Sequence, residues 1–353
     1  MYGRVNYYTS IDEFKKIKHS ATKTHLVFTT EKSFLDINEL NKMNIKLIGG
    51  VFPTIIYKNE TYSDGFMVFE LNDSTDILFI ENINDYNIEK ENFDGVKSIV
   101  TILNGFSKYN SSFLERIFEE VDLDTNIIGG GAGIFSDANR EVIFNNSGLY
   151  KHAAFLILLD KKIDIGVGHG WDVLEGPFIS TKVEGKKLKQ IDYKNAIDVY
   201  KDTVEKYVKK EITKENFLEV SKDFPLGIVK FNGDSLVRDP IAFTSDGSLI
   251  LAGDIQPNSI INILVGKKDS LVKDACLAGK SASKSGCEIL MMFECVSRLD
   301  YLGDVFEEQM GKIVDETSAK HIFGVISIGE IANDGNRYIY FLNKSCVMGG
   351  ICR

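Results

Sequence analysis

The chain has 353 residues, of which 44% are hydrophobic and 26% charged, with a formal net charge of −10. That length buries a large core and suits two domains. The acidic balance argues against nucleic acid as a partner, because phosphate binding needs a basic face.

No apolar run approaches membrane-spanning length, and Met1-Tyr-Gly-Arg-Val-Asn-Tyr-Tyr lacks the apolar core of a signal peptide. The expectation is a cytoplasmic protein without membrane contact. Cysteines 276, 287, 295, 346 and 352 match neither a disulfide framework nor a zinc site. Reduced thiols are therefore expected.

In chain order, residues 25–30 read as a β-rich run. Ser33 is placed to cap a helix to about residue 43, with Phe34, Ile37 and Leu40 on one face. Strands are expected at 45–52 (closed by Pro53), 55–58, 65–71 and 76–81, which makes a β-α-β-β unit. A second unit begins with a strand at 97–103. Ser112 and Glu115 form a capping box opening a helix with Phe113, Ile117, Phe118 and Val121 inward. A strand at 126–131 follows, then two strands within 141–160 joined by Asn-Asn-Ser-Gly. Strands at 163–168 and 177–183 complete the unit.

A helix over about 195–209 reads as a connector, with Ile197, Tyr200, Val204, Tyr207 and Val208 on one face. Beyond it, 241–244 and 248–252 pair across Ser245-Asp-Gly247, and a strand covers 259–265. Ser270 caps a helix to about residue 285. A strand at 288–296, a helix at 301–317 and strands at 321–328 and 337–342 again give β-α-β-β.

The units repeat. Lys46-Leu-Ile-Gly-Gly50 matches Asn126-Ile-Ile-Gly-Gly130, residues 56–61 match 143–148, and 65–71 match 153–159. A fainter third copy covers 324–329 and 338–345. The period exceeds that of solenoids, so this is one unit used about three times.

The glycine runs end apolar strands and let backbone approach a neighbour. Neither Gly129-Gly-Gly-Ala-Gly133 nor Gly166-Val-Gly-His-Gly-Trp171 fits a dinucleotide fingerprint or a P-loop. His169, flanked by glycines beside Trp171, can hydrogen-bond an anionic ligand or ligate haem iron; the alternative is a structural histidine in a tight turn. Arg238, in Arg-Asp-Pro240, can present a fork to a carboxylate. Cys295 and Arg298 stand where a strand becomes a loop, and Glu330 ends the next strand. Arg298 and Glu330 can equally form an ion pair. Cys295 is a nucleophile or a buried structural thiol.

In their order these motifs resemble the FIST family over nearly the whole chain. The carrying residues are 127–133, Gly168-His-Gly-Trp171 with Thr181, Asn195-Ala196 with Tyr200, Phe224-Pro-Leu-Gly227, Arg238-Asp-Pro240, Cys295 with Arg298, and Gly324 to Gly329-Glu-Ile331. The resemblance implies a FIST N-terminal domain at 1–190 and a C-terminal domain at 191–353. It also implies a cytosolic sensory module for small ligands, amino acids among them. Family members are often fused to histidine kinases, cyclic-di-nucleotide enzymes or chemoreceptor modules, and some bacterial members bind haem and sense nitric oxide. Here the chain ends at Arg353, just past the last motif, so the expectation is signalling to a partner in trans.

The combined reading is a mixed α/β (α+β) protein of two packed domains, built from β-α-β-β units with largely antiparallel sheets. It is read as a sensor, not an enzyme. Gly130, Gly131, His169, Trp171, Arg238, Cys295, Arg298 and Glu330 form the expected ligand site, with the two arginines holding an anionic group. Alternatives are haem-based gas sensing with His169 as axial ligand, and an enzyme using Cys295 or Glu330.

Overall fold

A computed structural model describes residues 4–33, 36–230, 233–333 and 338–351. It contains three six-stranded sheets made to one plan and a fourth sheet of different make. Each of the three is built on a parallel pair joined through helix: Thr24–Thr30 with Lys46–Phe52, Ser98–Asn104 with Asn126–Ala132, and Ile289–Cys295 with His321–Ser327. A return strand lies antiparallel to the first member of each pair: Phe66–Glu70, Ala154–Leu159 and Cys346–Ile351. An edge strand flanks each return strand: Val5–Tyr8, Asp76–Ile80 and Asp164–Gly168.

The sixfold count is completed by exchange. The hairpin of the first unit, Thr54–Tyr57 with Glu60–Tyr62, pairs with His321–Ser327 of the third. That of the second, Ile143–Asn145 with Gly148–Tyr150, pairs with Lys46–Phe52 of the first. That of the third, Glu330–Ala332 with Tyr340–Leu342, pairs with Asn126–Ala132 of the second. The result is a closed ring of three units. One apolar core joins them, containing Val51, Phe52, Ile102, Ile128, Phe293 and Val325.

Registers show the equivalence residue by residue. Gly49 stands opposite Val27, Gly129 opposite Thr101 and Gly324 opposite Met292. At all three, a Cβ would land on the neighbouring strand's carbonyl oxygen. The glycine-ended strand motif is thus a packing requirement repeated three times.

The third unit is interrupted between its edge strand, Asp164–Gly168, and its first parallel strand, Ile289–Cys295. Residues of the fourth sheet, from Trp171 to Gly266, lie in that gap. The spine of this sheet is the long strand Trp171–Glu184, antiparallel to Ile260–Gly266 on one side and Lys187–Ile191 on the other. The expected boundary at residue 190 falls inside strand Lys187–Ile191.

Several local expectations need correction. Ser33 caps no helix: its Oγ accepts from the Gly65 N–H at 2.6 Å, and the helix is Ile37–Asn41 with Asp36 as cap. Phe34 and Arg337, given places in elements, and Cys352 lie outside the described residues. Ser112 is inside helix Asn110–Glu120, donating to the Tyr109 carbonyl, so the capping box does not form. Ser270 likewise lies within helix Lys268–Ala282. The helix expected at 301–317 is two, Val296–Leu302 and Val305–Glu316, broken at Gly303 with φ +55°. Helix Ala196–Val208 is no bare connector: Ala196, Ile197, Tyr200 and Val204 pack in one core with Leu226, Ile261 and Ile263 of the fourth sheet. Cys276, Cys295 and Cys346 are free, but Cys287 is disulfide-bonded, against the expectation of reduced thiols throughout.

Candidate functional site

Two of the parallel pairs end beside the fourth sheet. Strand Ser98–Asn104 runs into Gly105 and Phe106, where the Asn104 Oδ1 accepts from the Phe106 N–H at 2.9 Å and turns the chain. Strand Ile289–Cys295 runs into Val296 and Ser297. Between these strand ends and the fourth sheet lies a cavity of about 380 Å³, within the range of small-molecule pockets. Phe106, Phe135, Ile328 and Phe341 line it from the ring; Ile241, Ile250 and Leu251 line it from the fourth sheet.

The polar end of this apolar chamber is made by Asp239, Ser297 and Asn343. The Asp239 Oδ2 accepts from Ser297 Oγ at 3.3 Å and pairs with Lys344 Nζ at 3.2 Å. Lys344 is fully buried. Its ammonium also donates to the Lys222 carbonyl at 2.8 Å and lies 4.8 Å from the centre of the Trp171 ring. Burial pushes the Asp239 carboxyl above its ordinary range, opposed by Lys344 and Ser297. The other acceptors, Asp239 Oδ1 and Asn343 Oδ1, are buried without a hydrogen-bond partner among the described residues. An orphaned buried acceptor costs about 1–3 kcal/mol, so each of these two calls for a donor from water or from a ligand in the cavity.

A narrow cleft adjoins, sharing Lys186, Ala252 and Phe341 with the cavity and reaching Arg238. Arg238 Nε donates to the Asp254 carbonyl at 2.7 Å, and its Nη1 to the carbonyls of Val237 and Phe341 at 3.0 and 3.2 Å. Nη2 has no partner among the described residues. Burial lowers the Arg238 pKa to about 10, with Asp254 opposing.

Of the expected site residues, Cys295 lines the cavity and Arg238 its neighbouring cleft. The rest do not meet there. Gly130 is packed on Phe293, and Gly131 on the backbone of Ile328 and Gly105. Arg298 is fully buried and holds no free fork: Nε meets Glu294 Oε1 at 2.6 Å, Nη2 meets Gln309 Oε1 at 2.8 Å, and Nη1 takes the His169 carbonyl. Its ion-pair partner is therefore Glu294, not Glu330. Glu330, fully buried, accepts from Ser327 Oγ at 3.0 Å and the Ser345 N–H at 3.2 Å. Burial raises its carboxyl well above the ordinary range.

Trp171 is buried, with Nε1 donating to the Lys344 carbonyl at 3.0 Å. His169 Nδ1 accepts from the Trp171 N–H at 3.0 Å, which leaves Nε2 as donor to Asp234 Oδ1 at 3.1 Å. With both ring nitrogens engaged, His169 does not fit as an iron ligand. Burial pushes the Cys295 thiol up, Glu330 adds to that, and the Sγ accepts from the Lys344 N–H at 3.2 Å. No imidazole stands at the cavity to activate it.

Sequence reasoning missed Asp239, Ser297, Asn343 and Lys344. A signal for Lys344 was present: the third return strand places Ser345 where the others have Gly65 and Ala153, so Lys344 answers to Asp64 and His152. For Asp239 the motif was seen but the wrong neighbour chosen, since successive strand residues face opposite sides.

The FIST N domain model matches residues 26–194 and the FIST C domain model residues 196–333. Together they cover most of the chain, which belongs to the FIST family. FIST domains are signal-transduction sensor domains that bind small ligands. No curated protein matches the chain. Among the described residues no helix is long and apolar enough to cross a membrane.

Proposed function

We propose that this chain is a cytoplasmic sensory module that binds a small amino-acid-like ligand in the cavity between the ring and the fourth sheet. The carrying observation is the pair of orphaned acceptors, Asp239 Oδ1 and Asn343 Oδ1, at the polar end of an apolar chamber. An ammonium group supplies the kind of donor that each of them lacks. A carboxylate on the same ligand has Lys186 and Arg238 within the adjoining cleft. The apolar wall takes the side chain.

The reading is one of binding rather than catalysis, since burial and the neighbouring Glu330 both push the Cys295 thiol up, against formation of a thiolate. The ligand touches both the ring and the fourth sheet. Affinity that differs between two placements of these parts shifts their populations and reaches a partner, such as a histidine kinase or a cyclic-di-nucleotide enzyme, in trans.

Calorimetric titration with a panel of amino acids, their decarboxylated amines and their deaminated acids tests this. At least one amino acid binds more tightly than its amine and its acid, and Asp239→Asn weakens it about tenfold or more. Failure of every panel member to bind the wild-type chain, or an unchanged affinity in Asp239→Asn, contradicts the proposal.

A further inference from the structure

A second group of unpartnered side chains lies in the first unit, on strands of another sheet. His25, on strand Thr24–Thr30, is fully buried and has Nδ1 3.2 Å from the Lys46 carbonyl. His19, in the segment before that strand, has Nε2 2.8 Å from the Phe14 carbonyl and its ring 3.9 Å, centre to centre, from the Phe14 ring. A carbonyl only accepts, so these two contacts place the protons on His25 Nδ1 and His19 Nε2. The lone pairs are then left on His25 Nε2 and His19 Nδ1. Both of these atoms are buried without a partner among the described residues.

Glu70 faces His25 across the antiparallel pair Thr24–Thr30 and Phe66–Glu70. One ligand atom each from His19, His25 and Glu70 lie within 4.8 Å of one another. Two buried imidazole lone pairs and a nearby carboxylate have no hydrogen to share, and water-free burial of both lone pairs is unfavourable. Distal ring nitrogens donating to backbone carbonyls are what metal-ligating histidines do, because that bond fixes the tautomer and aims the lone pair.

We propose that His19 Nδ1, His25 Nε2 and a Glu70 carboxylate oxygen form a binding site for a divalent transition ion of the zinc type, with a fourth position open to water. Two nitrogens and one oxygen suit zinc and its neighbours in the first row, not calcium or magnesium, which take oxygen ligands. Tetrahedral bonding asks for ligand atoms about 3.4 Å apart. Glu70, whose side chain is 22% exposed and 3.5 Å from Lys23 Nζ, is the ligand free to swing inward. The bound ion ties the segment between helix Ile11–Lys15 and strand Thr24–Thr30 to the first sheet.

The test uses the full chain, treated with a chelator and then titrated with Zn²⁺ against a fluorescent competitor, and separately with Co²⁺ in visible absorption. The expected result is one tight equivalent of Zn²⁺, tetrahedral Co²⁺ bands and a raised thermal midpoint. Glu70→Gln and His19→Asn alter half-buried side chains and keep the buried His25 in place, so they test ligation without emptying the core. Each weakens Zn²⁺ binding about tenfold to hundredfold or more. Absence of a stoichiometric Zn²⁺ site in the wild-type chain overturns the proposal, as does unchanged affinity in both variants. The amino-acid titration above is unaffected by either outcome, because the two sites share no residue.

Discussion

Lys344 Nζ lies 3.2 Å from the Asp239 carboxylate, and this buried ion pair joins the last turn of the ring to the fourth sheet. Lys344→Met removes the cation that offsets the burial of the Asp239 carboxylate beside the cavity. The expected loss of stability is about 3–5 kcal/mol, and the double variant Lys344→Met/Asp239→Asn recovers part of it. Urea unfolding of the four proteins of this cycle measures the coupling. A loss in the double variant equal to the sum of the two single losses would mean that the pair is not coupled.

Arg298→Ala separates support from recognition. Arg298 is fully buried on Glu294, Gln309 and two backbone carbonyls. Its removal strands the Glu294 carboxylate, and about 3–5 kcal/mol of stability is lost. Ligand affinity, measured where the variant remains folded, changes little. A large loss of affinity without a loss of stability would return Arg298 to the ligand.

Glu330 gives a pH signature. Burial lifts its folded pKa well above the ordinary 4.5, so the folded chain keeps a proton that the unfolded chain releases. Its contribution is therefore fully present below about pH 4.5 and is lost as pH rises toward the folded pKa. Glu330→Gln mimics the protonated group. Its stability relative to wild type improves steadily as pH rises from mildly acid to neutral, as followed by denaturant unfolding across that range. A difference independent of pH would contradict a protonated Glu330.

Two glycines give opposite results on substitution by alanine. At Gly129 the new methyl meets the Thr101 carbonyl oxygen, and destabilisation of about 3 kcal/mol or more is expected. Gly311 lies inside helix Val305–Glu316 with nothing within 4 Å of the new methyl, and Gly311→Ala stabilises by about 0.5–1 kcal/mol. Thermal unfolding distinguishes the two signs.

Much of the ring was legible because apolar strands repeat in kind. Matching 65–71 to 153–159 pairs Val68 with Leu156, and the registers through Val27 and Thr101 agree. The hairpin match slips by one: Ile56 answers to Phe144, not Ile143, since both stand at the repeated glycine. Apolar residues adjoin at both positions, so pattern alone leaves the register open. The third unit was faint because the fourth sheet separates its edge strand from the rest. The exchange of hairpins was not legible, since each strand's apolar faces are the same whichever unit it joins. The site was half legible. Strand ends do line the cavity, but Arg298 is buried on Glu294 and Gln309, and its place just after a strand carries no sign of which way it turns. The pairing of Asp239 with Lys344 is visible only once the ring and the fourth sheet are brought together.

The most direct test of the central claim is native mass spectrometry of the purified protein and of Ala252→Phe, whose new ring fills the chamber. The account predicts a small organic adduct on the wild-type chain, released on denaturation, and none on a folded Ala252→Phe. The same adduct on both proteins, or an adduct with the mass of haem, would contradict a ligand held between the ring and the fourth sheet.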